Sequence, residues 1–335
     1  MKKILILQAY SDQAHAIAKY IKLYSNNFFI VGGVDENYTR DTPLQYFDSL
    51  KKISSYESLD LSDYDYVLPT GAESTNSLIN YFKSIQIGCY SFNKENLRAC
   101  DKIPMLDFIN DLSIPIPETY RSIEEIKNFP VFYKQRLETG YGARGIVRNQ
   151  GELEKISKDP SVFFQEFIDS PITYGVGFLA KDGILITSFI HKELYSYPKA
   201  GGMAVALQSF DDDRLKEYVQ KILKKMNFNG WGLVEFKFCQ KRKDYAFMEV
   251  NPKLWASVEF ALMNNPEFLK ELFSITYNPK KVPRLVYLDR LALYGIRDYF
   301  SLGLLFINYK KLNFRKSILV LAHPVISKIS TFIKK

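Results

Sequence analysis

Glu235, Glu249 and Asn251 have the residue types and the spacing to hold a hard cation. They lie in two β-rich runs, residues 233–239 and 245–252, separated by the polar stretch 240–244, which together read as a hairpin centred on Arg242. With pairing symmetric about Arg242, Glu235 faces Glu249 on one side of the sheet. Asn251 shares that side, because side chains at i and i+2 point the same way. Two carboxylates opposed across a ladder repel one another, so something positive is expected between them. Two carboxylates and an amide oxygen suit Mg²⁺, as one or two ions completed by nucleotide phosphates, with Mn²⁺ the alternative. The competing reading is a solvated sheet face on which Glu235 pairs with Lys237 or Lys253.

A second group is rich in glycine. Residues 129–147 run strand, loop, strand, with Gly140, Gly142 and Gly145 in the connection. Successive N–H groups of such a loop can cradle an anion, and Lys134 at the end of the first strand brings a compact positive charge to it. Arg144 could reach phosphate or substrate as well. Glycines here serve an ordinary tight turn equally well, and the Gly-Lys-Ser/Thr ending of a Walker A loop is missing. His191 is expected at the end of a strand beside Lys192, either lining an acceptor site or standing at the surface against a carboxylate. Tyr195, Tyr197 and Trp255 are candidates for a pocket wall, with core packing the competing reading.

The elements that must position these groups follow from periodicity. Strands at 3–8, 28–34 and 64–69 alternate with helices at 14–24 and 74–82, the pattern of an open parallel sheet. The turn after the first strand, residues 8–11, has no glycine, which argues against dinucleotide binding. Gly71 and Glu73 follow the third strand, as a ligand-binding loop or a plain turn. A helix over 93–111 leads to Pro115 and Pro117, marking a domain boundary near residue 100. Beyond it an α+β region is expected, with strands at 131–134, 146–148, 162–167, 175–180 and 184–190 and a helix at 212–226.

With 335 residues, 47% of them apolar, the chain can bury a large core. Its longest apolar runs fall short of the roughly 18–20 residues a spanning helix needs, and no export signal is read at the start. Three cysteines without metal or C-x-x-C spacing read as reduced thiols. The net charge of +8 is concentrated at the end, where seven Lys/Arg and no Asp/Glu follow Asp298. The rest of the chain is nearly neutral, which argues against a nucleic-acid groove. That apolar and basic tail has the composition of a segment lying on an anionic membrane, with a solvated helical tail the competing reading.

In order along the chain these features resemble the ATP-grasp superfamily. Asp101-Lys102 resembles the lysine that opens its nucleotide lobe, residues 129–134 its first phosphate-binding strand, and residues 140–145 its phosphate-covering loop. Phe164-Gln165-Glu166-Phe167-Ile168 resembles the hinge whose backbone holds adenine. Residues 234–236 and 248–253, Met-Glu-Val-Asn-Pro-Lys, resemble the paired metal-binding strands. The resemblance implies an N-terminal parallel-sheet domain (1–100) before a two-lobed ATP-grasp domain (101–275). The lid lobe would span about 115–170, the metal-binding lobe about 171–275, and the C-terminal extension 276–335. Nucleotide contacts are implied for Lys102, Lys134, Gly140, Gly142, Gly145, Gln165, Glu166, Phe167 and Ile168, metal ligation for Glu235, Glu249 and Asn251, and catalytic roles for Arg144 and Lys253.

Residues 188–202 and 251–257 are similar to a carbamoyl-phosphate-synthase-like subgroup of carboxylate–amine ligases, which adds His191, Lys192, Trp255 and Ser257 as substrate candidates. Three features depart from the pattern, one being that Ala143 and Arg144 stand where small residues are common. Ser170 and Ile172 or Thr173 replace a glycine and a ribose-binding glutamate after the hinge, and Lys253 replaces an arginine. The implied activity is cytoplasmic: ATP and Mg²⁺ convert a carboxylate to an acyl phosphate that an amine then attacks. A small-molecule kinase or a non-catalytic MgATP-binding module is the alternative. The expected partners are a carboxylate and an amine, small or linked to a glycan or peptide, and no nucleic acid. A homodimer and a membrane contact through the tail are left open.

Overall fold

The computed structural model describes residues 1–38, 44–137, 142–199 and 201–322. Its N-terminal part is a parallel sheet built from β1 (Lys2–Leu7), β2 (Phe28–Asp35), β3 (Ser49–Ile53) and β4 (Tyr66–Leu68), in the order β3-β2-β1-β4. The run Ile4–Leu7 is wholly buried, as a strand covered on both faces must be. Helix α1 (Asp12–Tyr24) begins where the Ser11 hydroxyl accepts a hydrogen bond from the Ala14 N–H at 3.2 Å. It buries Ala14, Ile17, Ala18 and Ile21, one face of a 3.6-residue period. Helix α2 (Ala72–Phe82) follows β4. The expected open parallel sheet is present. Strand β3 escapes a reading by apolar runs because it alternates, with Lys51 and Lys52 in it.

A hairpin of β5 (Ser84–Ile87) and β6 (Tyr90–Asn93) leads into the stretch expected to be one helix. The structure divides it into a 3₁₀ segment, Lys94–Cys100, and α3 (Lys102–Asn110). The break is Asp101, held extended by a bridge to Leu137 and by a fork of hydrogen bonds from Arg136 Nε and Nη2 at 2.8 and 2.7 Å.

Two sheets then face one another. The smaller is antiparallel, order β7-β10-β8-β9, from β7 (Thr119–Tyr120), β8 (Val131–Gln135), β9 (Arg144–Val147) and β10 (Val162–Glu166), with α4 (Gln150–Ile156) packed on it. It has its own small core around Val131, Val147, Leu153 and Phe164. The larger has seven strands in the order β15-β14-β11-β12-β13-β16-β17: β11 (Thr173–Lys181), β12 (Ile184–Tyr197), β13 (Met203–Phe210), β14 (Gly230–Cys239), β15 (Asp244–Asn251), β16 (Arg284–Tyr287) and β17 (Lys310–Leu312). Strand β12 does not stop at Ile190 as expected. It is paired on both sides, His191 with Gly175 and with Ser209, and two ladders hold its polar second half extended.

Helix α5 (Asp213–Met226) covers the back of this sheet. Asp212 caps it by accepting from the Arg214 and Leu215 N–H groups, and Asn227 ends it in the left-handed region at φ 48°. Helices α6 (Val258–Leu262) and α7 (Glu267–Phe273) follow β15, and one continuous core joins the N-terminal sheet to the seven-stranded one. After β16 the extension continues with α8 (Leu288–Ala292) and α9 (Ile296–Leu305), passes through β17 at the sheet edge, and reaches helical residues 314–322, the last of the described residues. No helix among the described residues is long and apolar enough to cross a membrane.

Candidate active site

The hairpin of β14 and β15 places Glu235 opposite Glu249 and Leu233 opposite Asn251. The route to that register is not the symmetric one. Cys239 pairs with Asp244 across a four-residue turn, so the ladder near the turn is one residue short of symmetry about Arg242. A bulge beside Phe236 restores it, leaving Met248 without a ladder partner. The Met248 carbonyl oxygen accepts a hydrogen bond from Lys134 Nζ at 2.9 Å. The irregularity thus ties the metal-type hairpin to β8 of the opposite sheet.

Positive charge converges on the carboxylates. Lys102 Nζ is 3.5 Å and Lys134 Nζ 4.0 Å from Glu249 Oε2, with both lysines almost fully buried. Lys102 heads α3, and its backbone N–H donates to the Arg136 carbonyl at 3.1 Å, so the Asp101–Arg136 fork fixes where its side chain begins. Asn251 Nδ2 donates to Glu249 Oε1 at 3.1 Å and to Glu235 Oε1 at 3.4 Å, while its Oδ1 accepts from Lys253 Nζ at 3.3 Å. The amide N–H₂ therefore bridges the two carboxylates. Turned over, the same amide presents an oxygen to them, the donor set a hard divalent ion takes. Among the described residues no group of three or more His, Cys, Asp or Glu forms a complete cage. An ion here would draw its remaining ligands from phosphate oxygens and water, as Mg²⁺ commonly does. The residues present fit that cation.

Between the two sheets lies a cleft of about 320 Å³. One part of its lining is apolar, with Phe132, Ile146, Phe167, Ile168 and Met248. Another is cationic, with Lys102, Lys134 and Arg144, and ends at Glu235 and Glu249. An aromatic base fits the first and a polyphosphate the second. Arg144 Nε donates to the Gly201 carbonyl at 3.0 Å, so the smaller sheet touches the turn after β12 across the cleft. Gly142 and Ala143 line the cleft beside it, and the Ala143 N–H donates to Gln135 Oε1 at 3.2 Å. Gly145 is no part of the loop: it lies buried in β9 opposite Tyr133, whose ring fills the space a Cβ would take. Gly140 lies outside the described residues.

The hinge positions separate. Glu166, Phe167 and Ile168 line the cleft, whereas the Gln165 side chain is buried and donates from Nε2 to Thr119 Oγ1 at 2.9 Å. The Glu166 carboxylate accepts a fork from Arg242 at the hairpin turn, 3.3 Å at Oε1 and 2.5 Å at Oε2. His191 is neither at a strand end nor at the surface. It is fully buried in mid-strand, packed over Gly175, with Nε2 3.4 Å from Ser257 Oγ and 3.9 Å from Glu193 Oε1. Ser257 is buried with it. Trp255 packs in the core over Gly177 and against Phe268. Lys192 points to the opposite face from His191, its Nζ 3.9 Å from the Phe210 ring centre. The sheet alternation and the two side-chain-free glycines of β11 decide these placements.

Four charged groups line the cleft without having been singled out as site residues from sequence: Asp169, Glu193, Lys199 and Lys237. Two had a signal, since Glu193 is two residues beyond His191 and Lys237 two beyond Glu235, on the same face. Burial lowers the Lys237 pKa, opposed by Glu193, Glu235 and Asp169, and its Nζ donates to the Ser170 carbonyl at 2.8 Å. Beyond the carboxyl ends of β2 and β3 lies a smaller acidic cavity of about 280 Å³ lined by Asp35, Glu36, Glu57 and Glu73. Tyr10 donates to Asp35 there, and burial first, then this contact, pushes its hydroxyl up to about 12.

No family model matches the sequence, and no curated protein matches it either. Solved structures do. An N5-carboxyaminoimidazole synthetase from Staphylococcus aureus, complexed with ADP, superposes with a TM-score of 0.63 at 12% identity, over 83% of this chain and 79% of that one. A biotin carboxylase from Campylobacter jejuni in a β,γ-ATP complex gives 0.60 at 17% identity, over 84% and 72%. A Rhizobium etli pyruvate carboxylase gives 0.58 at 15% identity over 77% of this chain, which spans only 27% of that longer one. At such identities a match shows architecture. This chain has a parallel sheet followed by two sheets around one cleft, and the superpositions show that its fold is that of the matched structures, the ATP-grasp fold.

Proposed function

We propose that the chain is an ATP-dependent carboxylate–amine ligase. The observation that carries this reading is the meeting, at one end of an apolar-lined cleft, of an opposed carboxylate pair (Glu235, Glu249) with two buried lysines (Lys102, Lys134). The similar Staphylococcus aureus synthetase complexed with ADP and the Campylobacter jejuni carboxylase in its β,γ-ATP complex support a nucleotide in the corresponding cleft.

The base would lie between Phe132, Ile146, Ile168 and Met248, with backbone groups near Glu166 to Ile168 in reach of its polar edge. Lys102 and Lys134 would hold the phosphates, and Arg144 with the loop beginning at Gly142 would cover them. Glu235, Glu249 and Asn251 would hold Mg²⁺, which neutralises charge on the transferring phosphoryl group. A substrate carboxylate oxygen attacks the γ-phosphorus and ADP leaves, giving an acyl phosphate. The amine then attacks the acyl carbon, phosphate leaves, and the surplus amine proton passes to solvent or a cleft carboxylate. Lys253 and Arg144 would be the cations that hold the developing negative charge. Positioning and electrostatics carry both steps, so no side-chain nucleophile is needed.

The test is ADP release across a panel of amino acids, peptides and sugar acids paired with amines, with mass spectrometry of the products. The expected result is ADP formed one-for-one with an amide. ADP formed with a phosphorylated hydroxyl and no amide would replace the ligase by a kinase on the same fold.

A further inference from the structure

Helix α9 is apolar on both sides. Tyr299, Leu302 and Phe306 turn inward onto a small core with Leu288, Leu291, Val205 and Val286. No residue of α9 is buried, and Ile296, Phe300 and Leu304, at i, i+4 and i+8, are 61%, 64% and 73% exposed. Leu305 and Ile307 continue this exposure. The helical residues 314–322 repeat the pattern, with Phe314, Ile318 and Leu319 each more than half exposed. A chain folded only for water does not leave so many large apolar side chains in consecutive elements uncovered. Arg297, Lys310, Lys311 and Arg315 are exposed among them, and after Asp298 the sequence has seven Lys/Arg and no acidic residue.

We propose that α9 and residues 314–322 form a docking surface for an anionic lipid bilayer. Charge decides the occupant. A second copy of the chain meeting this surface about a two-fold axis would set cations against cations. A bilayer with acidic headgroups offers both the apolar layer for Phe300, Leu304 and Ile307 and the negative charge for the flanking basic residues. The chain would lie on the membrane and not span it, in keeping with the absence of a long apolar helix among the described residues. The surface is linked to the cleft. Phe306 packs on Tyr195 at 5.4 Å between ring centres, the Tyr294 hydroxyl donates to the Ser196 carbonyl, and Ser196 lines the cleft.

Flotation of the purified full chain with vesicles tests this. Wild type is expected to float with phosphatidylcholine–phosphatidylserine vesicles and to stay behind with phosphatidylcholine alone, with binding weakened by salt. The Phe300→Glu/Leu304→Glu double variant changes two exposed side chains, so its thermal melt should match wild type while its recovery with anionic vesicles falls roughly tenfold. Wild type that fails to float with anionic vesicles overturns the proposal. So does equal recovery of the double variant, or a wild-type dimer in sedimentation that the variant converts to monomer without any vesicle binding.

Discussion

Glu249 is where the electrostatics of the cleft meet: it lies within 4.0 Å of Lys102 and Lys134 and accepts from Asn251 at 3.1 Å. Replacing it by Gln keeps the shape and removes the charge. Glu249→Gln is expected to lower the rate of ADP formation by on the order of 10²-fold or more and to raise the Mg²⁺ concentration needed for half-maximal rate, read in a coupled assay across a Mg²⁺ titration. An unaltered titration would take Glu249 out of the site. Lys134→Ala removes both the tie to Met248 and a charge on the cleft wall. Its KM for ATP should rise roughly tenfold or more, the worth of one charge-assisted hydrogen bond, with the melting curve as the control for folding. At this scale much was legible. The opposition of Glu235 and Glu249 was read from alternation symmetric about Arg242, whereas in the structure the bulge beside Phe236 supplies the residue that this symmetry lacks near the turn. Lys134 was legible as a strand-end cation, but its hydrogen bond to Met248 was not, because it depends on a bulge that alternation does not announce.

Strand β11 shows how an element arranges what lies around it. Gly175 and Gly177 face the same side, and into the space they leave come His191 and Trp255. A Cβ on Gly177 would stand 2.2 Å from Trp255 Cζ2. Gly177→Ala should therefore cost about 1–3 kcal/mol through overpacking, seen as a lower melting temperature. Gly303 in α9 is the opposite case: nothing lies within 4 Å of the Cβ position. Gly303→Ala is expected to stabilise by up to roughly 0.5–1 kcal/mol, the helix-interior difference between the two residues, and a lower melting temperature there would contradict the packing described for α9. The glycines of β11 carry no signal in one sequence that separates them from turn glycines, so neither the burial of His191 nor that of Trp255 was legible. The residues that fill the gaps are distant in the chain.

At the scale of the whole molecule, the start of α1 is fastened to the C-terminal extension. Asp12 accepts from Arg290 Nη2 and from Lys316 Nζ, both at 2.8 Å, and Arg290 is 2% exposed. Arg290→Ala should destabilise by about 2–3 kcal/mol, below the roughly 3–5 of a fully buried pair, because Asp12 is 27% exposed and keeps Lys316. Burial works to raise the Asp12 pKa, and the Arg290 and Lys316 charges overcome it, holding the carboxyl below its ordinary value. The stabilisation is thus fully present above the unfolded pKa of about 4 and is lost as pH falls through the lower folded value. Melting temperatures measured from pH 6 downward should decline more for wild type than for Asp12→Asn.

The sequence by itself determined the parallel N-terminal sheet and the two strands of the metal-type hairpin, because each rests on alternation and turn chemistry within a few tens of residues. Tertiary structure alone decided that Lys102 and Lys134 converge on Glu249, that Glu193 and Lys237 line the same cleft, and that one face of α9 is left uncovered by the described residues. Those outcomes depend on which strands become neighbours and which sheets face each other, relations set by burying surface across the whole chain and not by any local run of residues.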